Sequence, residues 1–86
     1  MEASELFDRF VSIATTRGSL GVSDVSRASA VAHLGLDSLA LMEAIAEFEE
    51  AFDLRIPDED LMRLRTVGDF VDRAWELMSM GEARRP

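Results

Sequence analysis

The residues of this 86-residue chain whose types and spacing could do chemistry cluster around its middle. His33, Asp37 and Ser38 lie close in sequence, so a hydrolase triad has to be weighed. One loop histidine five residues from the serine, with no strand-to-helix elbow and no sign of an oxyanion hole, does not make one. Asp58-Glu59-Asp60 are consecutive and cannot all point at one ion, and the alternating ligands and glycine of a calcium loop are absent. A phosphate-cradling loop ending in lysine is excluded, because the chain has no lysine. Ser38 remains, at the head of an apolar-periodic segment. Its hydroxyl can cap that helix by satisfying an orphan N–H. Alternatively, an exposed hydroxyl ahead of a positive helix terminus is a good place for a phosphate ester. Local sequence permits both. No catalytic residue and no metal ligand is expected of the chain itself.

The elements that must position Ser38 are helical. Ser4 is expected to cap a first helix whose Leu6, Phe7, Phe10, Val11, Ile13 and Ala14 recur at steps of three and four, stopping at Gly18. A long loop over 18–36 follows, with Val22, Val25, Val31, Leu34 and Leu36 as its anchors. Loops of that length in small domains are usually functional or well tied down. A second helix is expected over about 38–52. Pro57 at a first helical position, ahead of Asp58-Glu59-Asp60, marks a short third helix near 57–63. Thr66 and Asp69 form a capping box with Asp in place of Glu, opening a last helix with Val67, Phe70, Val71, Ala74 and Met78 on one face. The expected fold is all-α: a small four-helix bundle occupying 1–78, with 79–86 as a flexible C-terminal tail.

Charge narrows the functional classes. Seventeen acidic side chains against nine arginines give a formal charge of −8. Nucleic acid and anionic membrane both need a cationic footprint, so neither is an expected partner. No apolar run is long enough to cross a bilayer, and the start of the chain lacks a signal peptide's basic residues, so a cytoplasmic, monomeric module is expected. Asp37, Glu43, Glu47, Glu49, Glu50, Asp53, Asp58, Glu59 and Asp60 face a single base, Arg55, between positions 37 and 60. That segment therefore holds 1 − 9 = −8, the entire imbalance. On the second helix Leu41, Ile45, Phe48 and Phe52 form a core stripe, while Leu39, Met42 and Ala46 lie among carboxylates on the far side. Such a spot suits a partner with an apolar socket and a basic rim.

The run Leu34-Gly35-Leu36-Asp37-Ser38-Leu39 resembles the phosphopantetheine attachment motif of acyl carrier proteins. The resemblance continues through Glu43, Phe48-Glu49-Glu50-Ala51-Phe52, Ile56-Pro57-Asp58-Glu59, Thr66-Val67 and Phe70-Val71, with Val25-Ser26 and Ala28-Ser29 matching the end of the family's first loop. It spans roughly residues 4–78. The resemblance implies that Ser38 is esterified by a phosphopantetheinyl transferase using coenzyme A, with Asp37 assisting recognition by that enzyme and its metal. The arm's thiol then carries acyl groups as thioesters, which suits a chain with no cysteine of its own. Leu39, Met42, Glu43, Ala46, Glu49 and Glu50 sit where the family docks its partners. Those implied are the transferase, an acyl-loading ligase or acyltransferase, and a ketosynthase or other acyl-processing enzyme. Glu49→Arg or Glu50→Arg is then expected to weaken partner association. Ala44, Gly68 and Ala74 are the positions that leave room for cargo inside the bundle.

The departures from housekeeping fatty-acid carriers are local. His33 stands where an acidic residue is common, Ala40 replaces an acidic residue two after the serine, and Ala30 occupies a position often held by a bulky anchor. The turn from 20 to 26 is also shorter. Taken with the serine motif, these resemble a discrete bacterial carrier of a polyketide or hybrid natural-product pathway, antibiotic biosynthesis included. A fatty-acid carrier is the alternative. An aminoacyl or peptidyl carrier is another, although Gly35-Leu36 departs from the Gly-Gly usual there. A cofactor-free acidic helical adaptor is the reading outside the carrier class.

Overall fold

Phe10, Phe48 and Phe70, none more than 1% exposed, meet where three helices cross. Their ring centroids lie 4.7–6.0 Å apart in tilted and edge-on arrangements, the geometry that aromatic quadrupoles favour. The computed structural model describes residues 3–18 and 20–80. Its α-helices are α1 (Ala3–Arg17), α2 (Ser38–Ala51), α3 (Asp58–Leu61) and α4 (Val67–Met80), with no strand among the described residues. The all-α, four-helix expectation holds, long first loop and short third helix included.

Each long helix buries the stripe its periodicity dictates. On α1 this is Leu6, Phe10, Val11, Ile13 and Ala14, with Phe7 packed at its edge. On α2 it is Ala44, Ile45 and Phe48, flanked by Leu41 and Phe52. On α4 Leu77 is buried, where Met78 was expected and is only half-buried. Leu77 lies seven positions after Phe70, on the same line of the helix. Ser4 does not cap α1, because the helix already includes Ala3 and Ser4 lies inside it. Pro57 is the N-cap of α3 rather than its first residue, and α4 continues through Ser79 to Met80. The rest of the tail expected over 79–86, residues 81–86, lies outside the described residues.

The first loop is tied to the start of α4 through its backbone. Ser29 O accepts from Val67 N at 2.9 Å, Arg27 O from Gly68 N at 2.8 Å, and Arg65 O from Val31 N at 2.9 Å. The first turn of a helix has N–H groups without intrahelical partners, and the loop carbonyls satisfy two of them here. Gly68 is required by this approach, since a Cβ there would stand 3.0 Å from Arg27 O. Val25 and Leu34 are buried and Val31 and Leu36 half-buried, as loop anchors should be. Val22 is 65% exposed and anchors nothing inside. It sits in a 3-10 turn, Val22–Asp24, at the edge of an open groove beside Phe7 and Val11 of α1.

The Thr66–Asp69 box is complete: Asp69 N donates to Thr66 Oγ1 at 3.0 Å and Thr66 N to Asp69 Oδ2 at 3.2 Å. Hydrogen bonds from the Thr66 and Arg65 backbones hold the Asp69 pKa below its ordinary 3.8. A depressed folded pKa gives stability that is full above the unfolded pKa and lost as pH falls through the folded one. The Asp69→Asn melting temperature is therefore expected to fall below wild type at neutral pH. The gap should close as pH drops below about 3.8. A gap independent of pH in thermal melts would contradict this.

Candidate functional site

Ser38 is the first residue of α2, not its cap. Asp37 takes the cap, its Oδ1 accepting from Ala40 N at 2.7 Å. The capping role considered for Ser38 is therefore overturned: asparagine, aspartate and serine compete equally for this position, and the aspartate lies one residue earlier. Ser38 is exposed, and its hydroxyl makes no hydrogen bond among the described residues.

The segment leading into Ser38 is fixed by alternation. Leu34 is buried at 2% exposure, Gly35 turns the chain with φ 74°, and Leu36 packs half-buried beside the end of α1. That positive φ favours a residue without Cβ. With leucines inward on both sides of the turn, Asp37 and Ser38 are delivered to the surface. His33 lies on a 3-10 turn, Val31–His33, with its backbone N–H on Ala30 O. No hydrogen bond joins it to Asp37 or Ser38 among the described residues, and the Asp37 carboxylate is committed to α2. The three do not form a triad. Among the described residues no group of three or more His, Asp or Glu side chains is placed to hold a metal.

The Ser38 position fits a phosphate ester. It stands at the N-terminal end of a 14-residue helix, where unpaired N–H groups carry partial positive charge. The exposed hydroxyl could supply an oxygen for esterification, and Asp37 holds the helix end in shape without it.

Leu39 and Met42 are 70% and 63% exposed, and Glu43, Ala46 and Glu50 are exposed on the same side of α2. Glu49 is half-buried, because its Oε2 accepts from Ile56 N at 2.7 Å across the α2–α3 turn. That turn is a Schellman-type stop, with Leu54 N on Glu49 O at 2.9 Å and Asp53 in the left-handed region at φ 50°. Aspartate is one of the few residues besides glycine that visits this region. Of the nine acids, Asp37 caps α2, Glu49 holds the turn and Asp60 pairs with Arg73 Nε at 2.9 Å. Glu47 and Glu43 face Arg17. Glu50, Asp53, Asp58 and Glu59 have no side-chain partner among the described residues.

Two openings flank this face. A groove of about 480 Å³ runs past Met42, Ala46, Glu49, Arg55, Asp58 and Leu61. A smaller apolar cavity of about 200 Å³ lies between Leu41, Met42 and Ile45 of α2 and Leu61, Met62 and Leu64, with Met62 86% exposed at its edge. Neither is where Ala44, Gly68 and Ala74 were expected to leave room. Ala44 and Ala74 are fully buried, and the space at Gly68 is taken by Arg27. Small residues here allow close helix and loop approach rather than a void. The parts sequence reasoning missed are Asp37 as cap, Glu49 as turn anchor and Arg17 as partner of α2. Only the first had a local signal.

Residues 13–74 match the family described as "Phosphopantetheine attachment site". The match takes in the end of α1, the first loop, α2, α3 and the first half of α4.

Proposed function

We propose a specific carrier role for this chain, starting from the fact that it belongs to the phosphopantetheine-attachment family. The group its family bears is 4'-phosphopantetheine, covalently attached, and carrier domains of this kind are in general non-catalytic shuttles served by modifying and acyl-processing enzymes. In the proposed role Ser38 carries the arm, and acyl intermediates ride its thiol as thioesters. They are presented through the face of α2 bearing Leu39, Met42, Glu43, Ala46 and Glu50, in polyketide or other natural-product biosynthesis. The observation that carries the reading is an exposed Ser38 hydroxyl, released from capping by Asp37 at the head of a long helix. The departures at His33, Ala40 and Ala30 favour a natural-product pathway over fatty-acid synthesis. No helix among the described residues is long and apolar enough to cross a membrane.

Incubation with coenzyme A, magnesium and a broad-specificity transferase should add one phosphopantetheinyl group, read by intact-protein mass spectrometry. No addition would sink the attachment. The cargo found on the arm in cells tests the pathway, and a series of straight-chain fatty acyl groups would return the chain to fatty-acid synthesis.

Glu50→Arg is expected to slow association with basic partners at low ionic strength, the difference shrinking as salt rises. Equal association rates for variant and wild type at low salt would remove Glu50 from the docking surface. Glu49→Arg does not test docking alone, because it also removes the carboxylate that holds Ile56 N.

A further inference from the structure

We propose that Arg17 is a competitor built into the docking face. It occupies Glu47 and Glu43, so a partner's basic residues meet those carboxylates already paired. The inference rests on the carrier reading above and concerns how partners gain access to α2.

Arg17 is the last residue of α1, and its guanidinium reaches across to α2. Nη2 is 2.7 Å and Nε 3.3 Å from Glu47 Oε1, and Nη1 is 3.9 Å from Glu43 Oε1. Three nitrogens of one cation thus face two carboxylates of the acidic helix. A partner's arginine would offer the same contacts, so the two compete for the same acceptors. The side chains are 33%, 51% and 53% exposed, which leaves the pairs open to exchange with an incoming cation. Exposed pairs of this kind are weak, so Arg17 grades access rather than closing it.

The mask also divides the face. Glu50, Asp53, Asp58 and Glu59 have no such partner among the described residues. A partner approaching over them meets open carboxylates, whereas one approaching over Glu43 and Glu47 has to displace Arg17. Two enzymes with equally basic surfaces are thereby distinguished by their angle of approach.

The test measures modification by a transferase with a basic docking surface, using wild type, Arg17→Gln, Arg17→Lys and Arg27→Gln. Arg27→Gln removes the same charge from a pair with Asp72, on the loop side of α4. At low ionic strength Arg17→Gln should lower KM for the carrier by about two- to five-fold with kcat unchanged. Arg17→Lys and Arg27→Gln should stay near wild type. The advantage should vanish at about 1 M salt, where the Debye length is about 3 Å. Loss of a purely structural contact would not improve KM, so a fall marks the release of a competitor. An unchanged or raised KM overturns the proposal, as does an equal fall in Arg27→Gln, which would make the effect one of total charge. If wild type accepts no phosphopantetheine, the carrier reading fails and this inference with it. If wild type is modified but KM does not move, only the inference fails.

Discussion

Ser38→Ala is expected to gain no phosphopantetheinyl group under conditions that modify the wild-type chain, while keeping its helix content and melting temperature. The chemistry needs one oxygen at one place, and alanine removes it. The fold does not need that oxygen: Ser38 is exposed, its hydroxyl has no hydrogen bond among the described residues, and Asp37 supplies the cap. Alanine is also the better helix former, by a few tenths of a kcal/mol. Loss of modification with an unchanged melt therefore assigns the effect to the attachment oxygen. The same mass gain in Ser38→Ala would place the arm elsewhere. A large fall in melting temperature would show that the hydroxyl has a structural role. The experiment also separates the carrier from a cofactor-free adaptor, for which Ser38→Ala would leave partner binding and pathway output intact.

Phe48→Ala is expected to cause the largest loss of stability. Phe48 is fully buried against Phe10, Phe52 and Phe70, so α1, α2 and α4 all lose contacts at once. Truncating a buried phenylalanine costs about 3–5 kcal/mol through lost transfer energy and the cavity left behind. At about 0.05–0.15 kcal/mol per residue, a domain of this size holds roughly 4–13 kcal/mol in all. One substitution therefore removes a large share of it, and the melting temperature should fall by roughly 15–30 °C. Far-UV circular dichroism would measure this directly. A fall of less than about 5 °C would mean that the aromatic centre is not the keystone its packing implies. Salt should not rescue Phe48→Ala, since the loss is one of packing.

These two residues lie on α2, and the sequence speaks differently for each. Phe48 was legible as core because its neighbours recur at helical spacing, a purely local pattern. Ser38 was legible as a candidate but not as an uncapped hydroxyl. Adjacent Asp37 and Ser38 are both good N-caps, and which one capped depended on where the helix actually began. The turn at Gly35 and the inward leucines on either side of it decided that.

The same boundary runs through the acidic face. Its location between positions 37 and 60, the helices that bear it and the serine at its edge follow from residue order alone, because helical periodicity and capping act over three or four positions. The use made of each carboxylate does not. Arg17 and Glu47 are thirty positions apart, Asp60 and Arg73 thirteen, and Glu49 reaches Ile56 only after the chain has reversed at Asp53. Whether such groups meet depends on how α1, α4 and the α2–α3 turn pack around three phenylalanines. The order of residues determined a charged helix with a candidate serine at its head. Packing decided which of its charges remain open to a partner.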